Sequence, residues 1–164
     1  DPGMAFGTGT HPTTKLSIQA LEKYINKEDT VIDVGSGSGV LSIASVLLGA
    51  KEVFAYDLDP VAVKSTKENS KLNGLEHAIL PMQKDLLKGA EHRADLIVSN
   101  ILAEIIVQFI EDAWNNLNQD GLFITSGIIS EKRLLVENAL KKQGFAILET
   151  NHLDDWVSIV AKKQ

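Results

Sequence analysis

Val31-Ile32-Asp33-Val34-Gly35-Ser36-Gly37-Ser38-Gly39 is the stretch whose reading decides the fold. Val31 to Val34 is a short run of mostly apolar, β-branched residues, which reads as a buried parallel strand. Three glycines follow at alternate positions, and then an apolar helical run from Val40 to Leu48. A strand that breaks on glycines and re-enters as a helix brings backbone N–H groups to a helix N-terminus, where a ligand can lie against the chain. The dinucleotide fingerprint requires a small residue at position 40, and Val40 does not meet it. A P-loop needs a Gly-Lys-Ser/Thr ending, which is absent, and a nucleophile elbow needs serine where Gly37 stands. What remains is D-x-G-x-G-x-G, with Asp33 on the strand and no phosphate-binding lysine.

Outward from this stretch the chain alternates. A helix with Leu16, Ala20, Leu21 and Tyr24 on one face precedes it, with Thr13 and Thr14 as candidate N-caps. Beyond it, Glu52 to Tyr56 reads as strand two, and Asp59 with Pro60 starts a helix that stops at Asn73-Gly74. Ala78 to Met82 is strand three and Asp95 to Asn100 strand four. A single helix carrying Ile105, Ile106, Phe109, Ile110 and Ala113 follows. Asn118 to Gly121 reads as a turn and Leu122 to Ser126 as strand five. Ser130 caps a helix with Leu134, Leu135 and Leu140 inward. Phe145–Thr150 and Trp156–Ala161 have no helix between them and can pair antiparallel. The order predicts a doubly wound, Rossmann-like α/β fold, with a seven-stranded, mostly parallel sheet and an antiparallel C-terminal pair. All 164 residues form one domain, in which residues 1–14, rich in glycine and proline, form an ordered loop or lid.

Composition narrows the function. No apolar run reaches the ~18 residues of a membrane span. Cysteine is absent, which removes disulfides and thiolate metal sites and is compatible with a cytoplasmic protein. The four histidines, His11, His77, His92 and His152, lack ligand spacing, so no metal site is expected. A net charge of −6 argues against direct nucleic-acid binding.

In open α/β sheets the ligand sits at the carboxyl ends of the strands. Asp33, Gly35, Gly37, Asp57, Asp85 and Ser99-Asn100 all fall on that rim. Asp57, 22 residues after Gly35, can accept from both hydroxyls of a ribose, or be a turn residue beside the cap Asp59. Asp33 can meet an ammonium group or simply be a buried acid. Asp85 can accept from an adenine amino group or be a solvated loop acid. Asn100 can accept from an amine or from a cofactor, or cap the next helix.

The glycine loop resembles the first motif of class I S-adenosylmethionine-dependent methyltransferases. Pro2-Gly3-Met4-Ala5-Phe6-Gly7-Thr8-Gly9-Thr10-His11-Pro12-Thr13-Thr14 closely resembles the loop before the catalytic core of the ribosomal-protein lysine methyltransferase family, PrmA. Asp57-Leu58-Asp59-Pro60 and Ser99-Asn100-Ile101-Leu102 resemble its further motifs in the same order. The resemblance implies S-adenosylmethionine as cofactor, contacted by Thr14, Gly35, Asp57 and Asn100 and covered by a loop carrying Phe6 and Thr8. It implies methyl transfer to amino groups of a large-subunit ribosomal protein, the stalk-base protein. That family's N-terminal substrate-docking domain is not among these residues, so the chain reads as a fragment or a stand-alone relative. Asn100 is the expected catalytic residue, holding a neutral amine; Glu104 is a weaker candidate as proton acceptor. Three alternatives stay open: an amino-methyltransferase of RNA or of a small molecule, a nicotinamide dehydrogenase, and a non-catalytic S-adenosylmethionine-binding module.

Overall fold

The computed structural model describes residues 11–164. The elements in chain order are α1 (Pro12–Tyr24), β1 (Thr30–Val34), α2 (Val40–Leu47), β2 (Glu52–Asp57), α3 (Pro60–Leu72), β3 (Ile79–Gln83) and β4 (Ala94–Asn100). They continue with α4 (Ala103–Ile106), α5 (Ile110–Asn116), β5 (Leu117–Ile129), a 3-10 turn (Ser130–Lys132), α6 (Arg133–Gln143), β6 (Ala146–Leu153) and β7 (Trp156–Lys162). The seven strands form one sheet in the order β3-β2-β1-β4-β5-β7-β6. Strands β1 to β5 pair in parallel, and β7 runs antiparallel to both β5 and β6. The chain reverses its direction of winding between β1 and β4, so the ends of these two strands open a crevice.

Burial on both faces explains the near-continuous apolar strands. Val31, Val53, Leu96, Val98 and Ile124 face Leu21 of α1 and Leu41, Ile43 and Ala44 of α2. Ile32, Val34, Ile97 and Phe123 face Ile106, Ile110, Val136 and Leu140 of α4, α5 and α6. Edge strand β3 carries Pro81, whose missing N–H is tolerated only where no further strand pairs. Among the described residues no helix is long and apolar enough to cross a membrane.

Several local expectations are corrected. The cap of α1 is His11, whose ring nitrogen accepts from the Thr13 amide; Thr13 and Thr14 lie inside the first turn and are buried. The helix expected over Ile105–Ala113 is two short helices, because Phe109 leaves helical geometry (φ −124°, ψ 19°) and packs its ring on Phe123. Asn118–Gly121 is an irregularity inside a longer β5, where pairing with β4 jumps from Ala94↔Leu117 to Leu96↔Leu122. Ser130 begins the 3-10 turn and caps nothing through its side chain. Leu134 and Leu135 are 57% and 45% exposed; Leu140 points inward as expected, with Val136 beside it. Glu137 is also buried on this helix and accepts from Arg133 and from Thr150 of β6.

Candidate functional site

The carboxyl ends of β1, β2 and β4 meet at the crevice, and each delivers one group for a reason visible in its local sequence. After Val34 the chain makes a tight loop through Gly35, Gly37 and Gly39, which adopt φ of +80°, +55° and +89°. Gly35 also lies so near β4's exit that a Cβ there would stand 2.8 Å from Ile101 Cγ2. The loop is locked from inside. The Gly35 and Ser36 amides donate to the Tyr56 carbonyl at 2.8 and 3.0 Å, and the Gly39 amide donates to Ser36. Thr66 and Asn69 of α3 donate to the Gly37 and Ser38 carbonyls. An anion-gripping loop needs unengaged N–H groups. Here the Gly35, Ser36, Gly37 and Gly39 amides are all engaged by the protein, so these four groups leave a ligand open space and a carboxylate.

That carboxylate is Asp57, at the end of β2. Its Oδ2 accepts from the Gly37 amide at 2.9 Å, and its Oδ1 accepts from the Asp59 amide at 3.0 Å. Asp59 caps α3 by accepting from the Val61 amide. Each Asp57 oxygen keeps a second lone pair, enough to receive a pair of neighbouring hydroxyls.

Asp33 lies deeper, 2% exposed, and its Oδ2 accepts from the Ser42 hydroxyl of α2 at 2.7 Å. Burial pushes its carboxyl up to about 7; the Ser42 hydrogen bond opposes this and the Asp57 charge adds to it. The group is thus poised to gain a charge when a cation arrives.

Asn100 ends β4, half-buried. Its Nδ2 donates to Thr13 Oγ1 at 3.3 Å, and Thr13 Oγ1 lies 2.8 Å from His11 Nδ1. Because His11 Nδ1 also accepts from the Thr13 amide, it carries no proton, and the Thr13 hydroxyl must donate to it. Thr13 Oγ1 is then an acceptor toward Asn100, which fixes the amide with Nδ2 toward α1. The helix-cap reading of Asn100 fails, since Leu102 occupies the N-cap of α4. Gly127, with φ +82°, is a site residue that sequence reasoning missed. A Cβ there would stand 2.8 Å from Asn100 Oδ1, so β5 can pass the amide only as glycine. The available signal was a glycine directly after the apolar run of strand five.

Gly35, Tyr56, Asp57, Leu58, Asp85 and Ile101 are among the residues lining a cleft of about 490 Å³, with Leu86, Ile105 and Gln108 on its further walls. Asp85 lines the cleft while pairing with Lys88 at its exposed edge. Thr14 is buried in the first turn of α1 and is not among the residues lining the cleft. Phe6 and Thr8 lie outside the described residues. Glu104 pairs with Lys132 at 3.3 Å and lies outside the cleft lining. A backbone hydrogen bond and Lys132 hold its carboxyl below the usual range, which makes it a poorer proton acceptor. No cluster of metal-ligating side chains occurs among the described residues. The site therefore combines a carboxylate for a diol, an apolar slot, an oriented amide and a buried acid, arranged for holding a nucleoside-like ligand beside an amine.

Comparisons with known proteins fall on the same ground. Residues 1–164 match the family described as ribosomal protein L11 methyltransferase (PrmA). The chain is 63% identical over 163 residues to a ribosomal protein L11 methyltransferase of Oceanobacillus iheyensis, covering 99% of this chain and 52% of that protein. It is 56% identical to that of Bacillus subtilis, over the same shares of each chain. The crystal structure of a ribosomal protein L11 methylase from Lactobacillus delbrueckii subsp. bulgaricus superposes with a TM-score of 0.91 at 38% identity, covering 95% of this chain and 81% of that one. The chain thus spans about half the length of the curated relatives it matches.

Proposed function

The chain belongs to the ribosomal protein L11 methyltransferase (PrmA) family, and we propose that it transfers methyl groups from S-adenosylmethionine to amino groups, lysine side chains or an N-terminal amine, of a large-subunit ribosomal protein. The observation that carries this reading is the cleft at the switch point, lined by Gly35 of the glycine loop and by Asp57, with Asn100 ending the adjacent strand β4. The cofactor fits the residues present: Asp57 has lone pairs to spare, and Gly37 has open space where a side chain would stand. When bound, S-adenosylmethionine supplies an electrophilic methyl group.

This chain's residues do the rest by binding and orienting. Asp57 accepts from the ribose hydroxyls. Asp33, once ionised, balances the methionyl ammonium across the loop. Gly35 and Gly37 let the ligand lie against the backbone, and the family resemblance adds Thr14, Phe6 and Thr8 as cofactor contacts. Asn100, with Nδ2 held by Thr13, turns Oδ1 toward the incoming amine and accepts its hydrogen. A lysine amine with a pKa near ~10.4 must shed a proton before it can act as nucleophile, and a dry pocket favours the neutral form. Val40, standing where the dinucleotide fingerprint requires a small residue, weighs against the dinucleotide alternative. A ribosomal substrate places the work in the cytoplasm, with no direct contact to nucleic acid required. We further propose that residues 1–164 act as a single catalytic domain and that substrate docking relies on a separate domain of the kind the family carries.

The test is methyl transfer from isotope-labelled S-adenosylmethionine to purified large-subunit ribosomal protein, read by mass spectrometry, with ribosomal RNA in parallel. Label on lysine or the N-terminus of the protein is expected. Label in RNA alone would replace this reading with the RNA one. Tight cofactor binding with no transfer to either would favour a binding module.

A further inference from the structure

Trp156 opens β7 at the carboxyl rim, where it pairs with Ile129 at the end of β5. Its neighbour Val157 packs into the core against α4, α5 and α6, so by alternation the indole lies on the other face of the sheet, with α1. There its ring meets that of His11, with 5.7 Å between centroids and 59° between planes. His11 is exposed and Trp156 only partly buried, whereas Val157, Ile159 and Val160 of the same strand are fully buried. The two rings thus form an aromatic shelf open to solvent. Packing of the core has no use for it, and tryptophan is enriched where a protein surface meets a partner. The shelf is continuous with the site: His11 Nδ1 lies 2.8 Å from Thr13 Oγ1, which accepts from Asn100 Nδ2.

Charge decides what the shelf can receive. Asp154 and Asp155 form the β6–β7 turn directly before Trp156. The Asp155 carbonyl accepts from the Ser130 amide at 2.9 Å, which fastens that turn to the one carrying Glu131. All three acids are exposed, and among the described residues none of them is in an ion pair. The cations that follow Glu131 are already engaged, Lys132 by Glu104 and Arg133 by Glu137. An RNA phosphate backbone is repelled by such a margin. An extended peptide with lysines or arginines is attracted to it, and long basic side chains lay their methylene stems and charged heads on an indole face.

We propose that the His11–Trp156 shelf, with Asp154, Asp155 and Glu131 beside it, is the surface on which the substrate protein lays the basic peptide segment that carries its target amine. The indole supports the segment, the three carboxylates attract its flanking cations, and the target side chain turns inward past His11 toward Asn100. This inference rests on the reading of the chain as a methyltransferase of a ribosomal protein, and it gives that reading a place on the catalytic domain where protein is preferred to RNA.

The experiment compares wild type, Trp156→Ala, Trp156→Phe and the double charge reversal Glu131→Lys/Asp155→Lys, in the full chain. Steady-state methylation of purified large-subunit ribosomal protein is measured over a range of salt, beside calorimetric titration with S-adenosylhomocysteine. The expected result for Trp156→Ala is a KM for the protein raised about 10-fold or more, as for an aromatic anchor removed from an interface, with most of the loss restored in Trp156→Phe. The charge reversal should raise KM roughly 5- to 10-fold at low ionic strength, by an amount that shrinks as salt is added. S-adenosylhomocysteine affinity should be unchanged throughout. Urea unfolding of each variant identifies a loss of folding, and if Trp156→Ala shows one, the charge reversal decides. An unchanged KM in a folded Trp156→Ala or in the charge reversal overturns the proposal, as does a charge-reversal effect that ignores salt or a loss confined to cofactor affinity. Failure of wild type itself to methylate any purified ribosomal protein would instead overturn the functional reading on which the proposal rests.

Discussion

Replacing Asp33 by asparagine isolates one charge at the centre of the site. The side chain is 2% exposed, keeps the same shape as asparagine, and accepts from Ser42 at 2.7 Å, a bond the amide oxygen can also make. Its carboxyl is raised to about 7, chiefly by burial. In the unfolded chain an aspartate titrates near ~3.9, so between about pH 4 and pH 7 the folded protein holds a proton that the unfolded chain has lost. Stability without ligand therefore falls as pH rises through that window and levels off above it. Roughly three pKa units at ~1.4 kcal/mol each amount to about 4 kcal/mol at pH 8. Asp33→Asn escapes this cost: near pH 4 the two proteins should be alike, and at pH 8 the variant should be more stable by up to about 4 kcal/mol. Urea denaturation of ligand-free protein from pH 4 to pH 8 measures the difference. The same acid is proposed to meet the cofactor's ammonium, so wild type should bind S-adenosylmethionine more tightly as pH rises through 7, and Asp33→Asn should bind weakly and without that slope. Parallel stability curves for the two proteins across the window would refute the argument, because the cost of charging Asp33 would then be absent.

Asn100→Ala should lose turnover by ~100-fold or more while S-adenosylhomocysteine affinity changes far less, read by steady-state kinetics beside calorimetry; full turnover would remove Asn100 from the mechanism. Gly127→Ala should damage the same step through geometry, since the new Cβ meets Asn100 Oδ1 at 2.8 Å in a left-handed backbone, and the strain should cost ~1–3 kcal/mol in urea unfolding. Asp57→Ala should weaken cofactor binding on the order of 100-fold, because two hydrogen bonds to a charged acceptor are lost, and should loosen Gly37 as well. Glu137→Ala, far from the cleft, should leave turnover alone and cost ~1–3 kcal/mol, because Arg133 and Thr150 lose their acceptor.

What was legible in the sequence was what local chemistry decides. The strand-glycine-helix passage at Val31–Val40, the cap at Asp59-Pro60 and the acid ending β2 follow from neighbours in the chain. Features governed by distant contacts were not legible. The break at Phe109 answers to Phe123, and the buried Glu137 of α6 answers to Thr150 on β6. Asn100 was recognisable as a rim residue. Its orientation was not, since Thr13 and His11 reach it from the other end of the chain and Gly127 from the neighbouring strand. Reading the glycines as a source of free amides was the natural expectation; only the folded loop reveals that Tyr56, Asp57 and Ser36 already accept from those of Gly35, Gly37 and Gly39.

The reversed strand β7 has a consequence for how the protein opens. β6 touches the rest of the sheet only through β7, and the two are joined by a tight turn in which Asp154 adopts φ +55°. Within the sheet the pair is attached along the β5–β7 seam, whose pairing is already interrupted between Thr125 and Ile128, while Lys23 and Tyr24 of α1 and Glu137 of α6 bind β6 from the two faces. Amide exchange should find β6 and β7 releasing together as one unit, ahead of β1 and β4 in the centre. Trp156, which starts β7, has its ring 5.7 Å from that of His11, the residue that holds Thr13 against Asn100. A shift of the β6–β7 pair would therefore pass through Trp156, His11 and Thr13 to the Asn100 amide, which ties the far margin of the sheet to its centre.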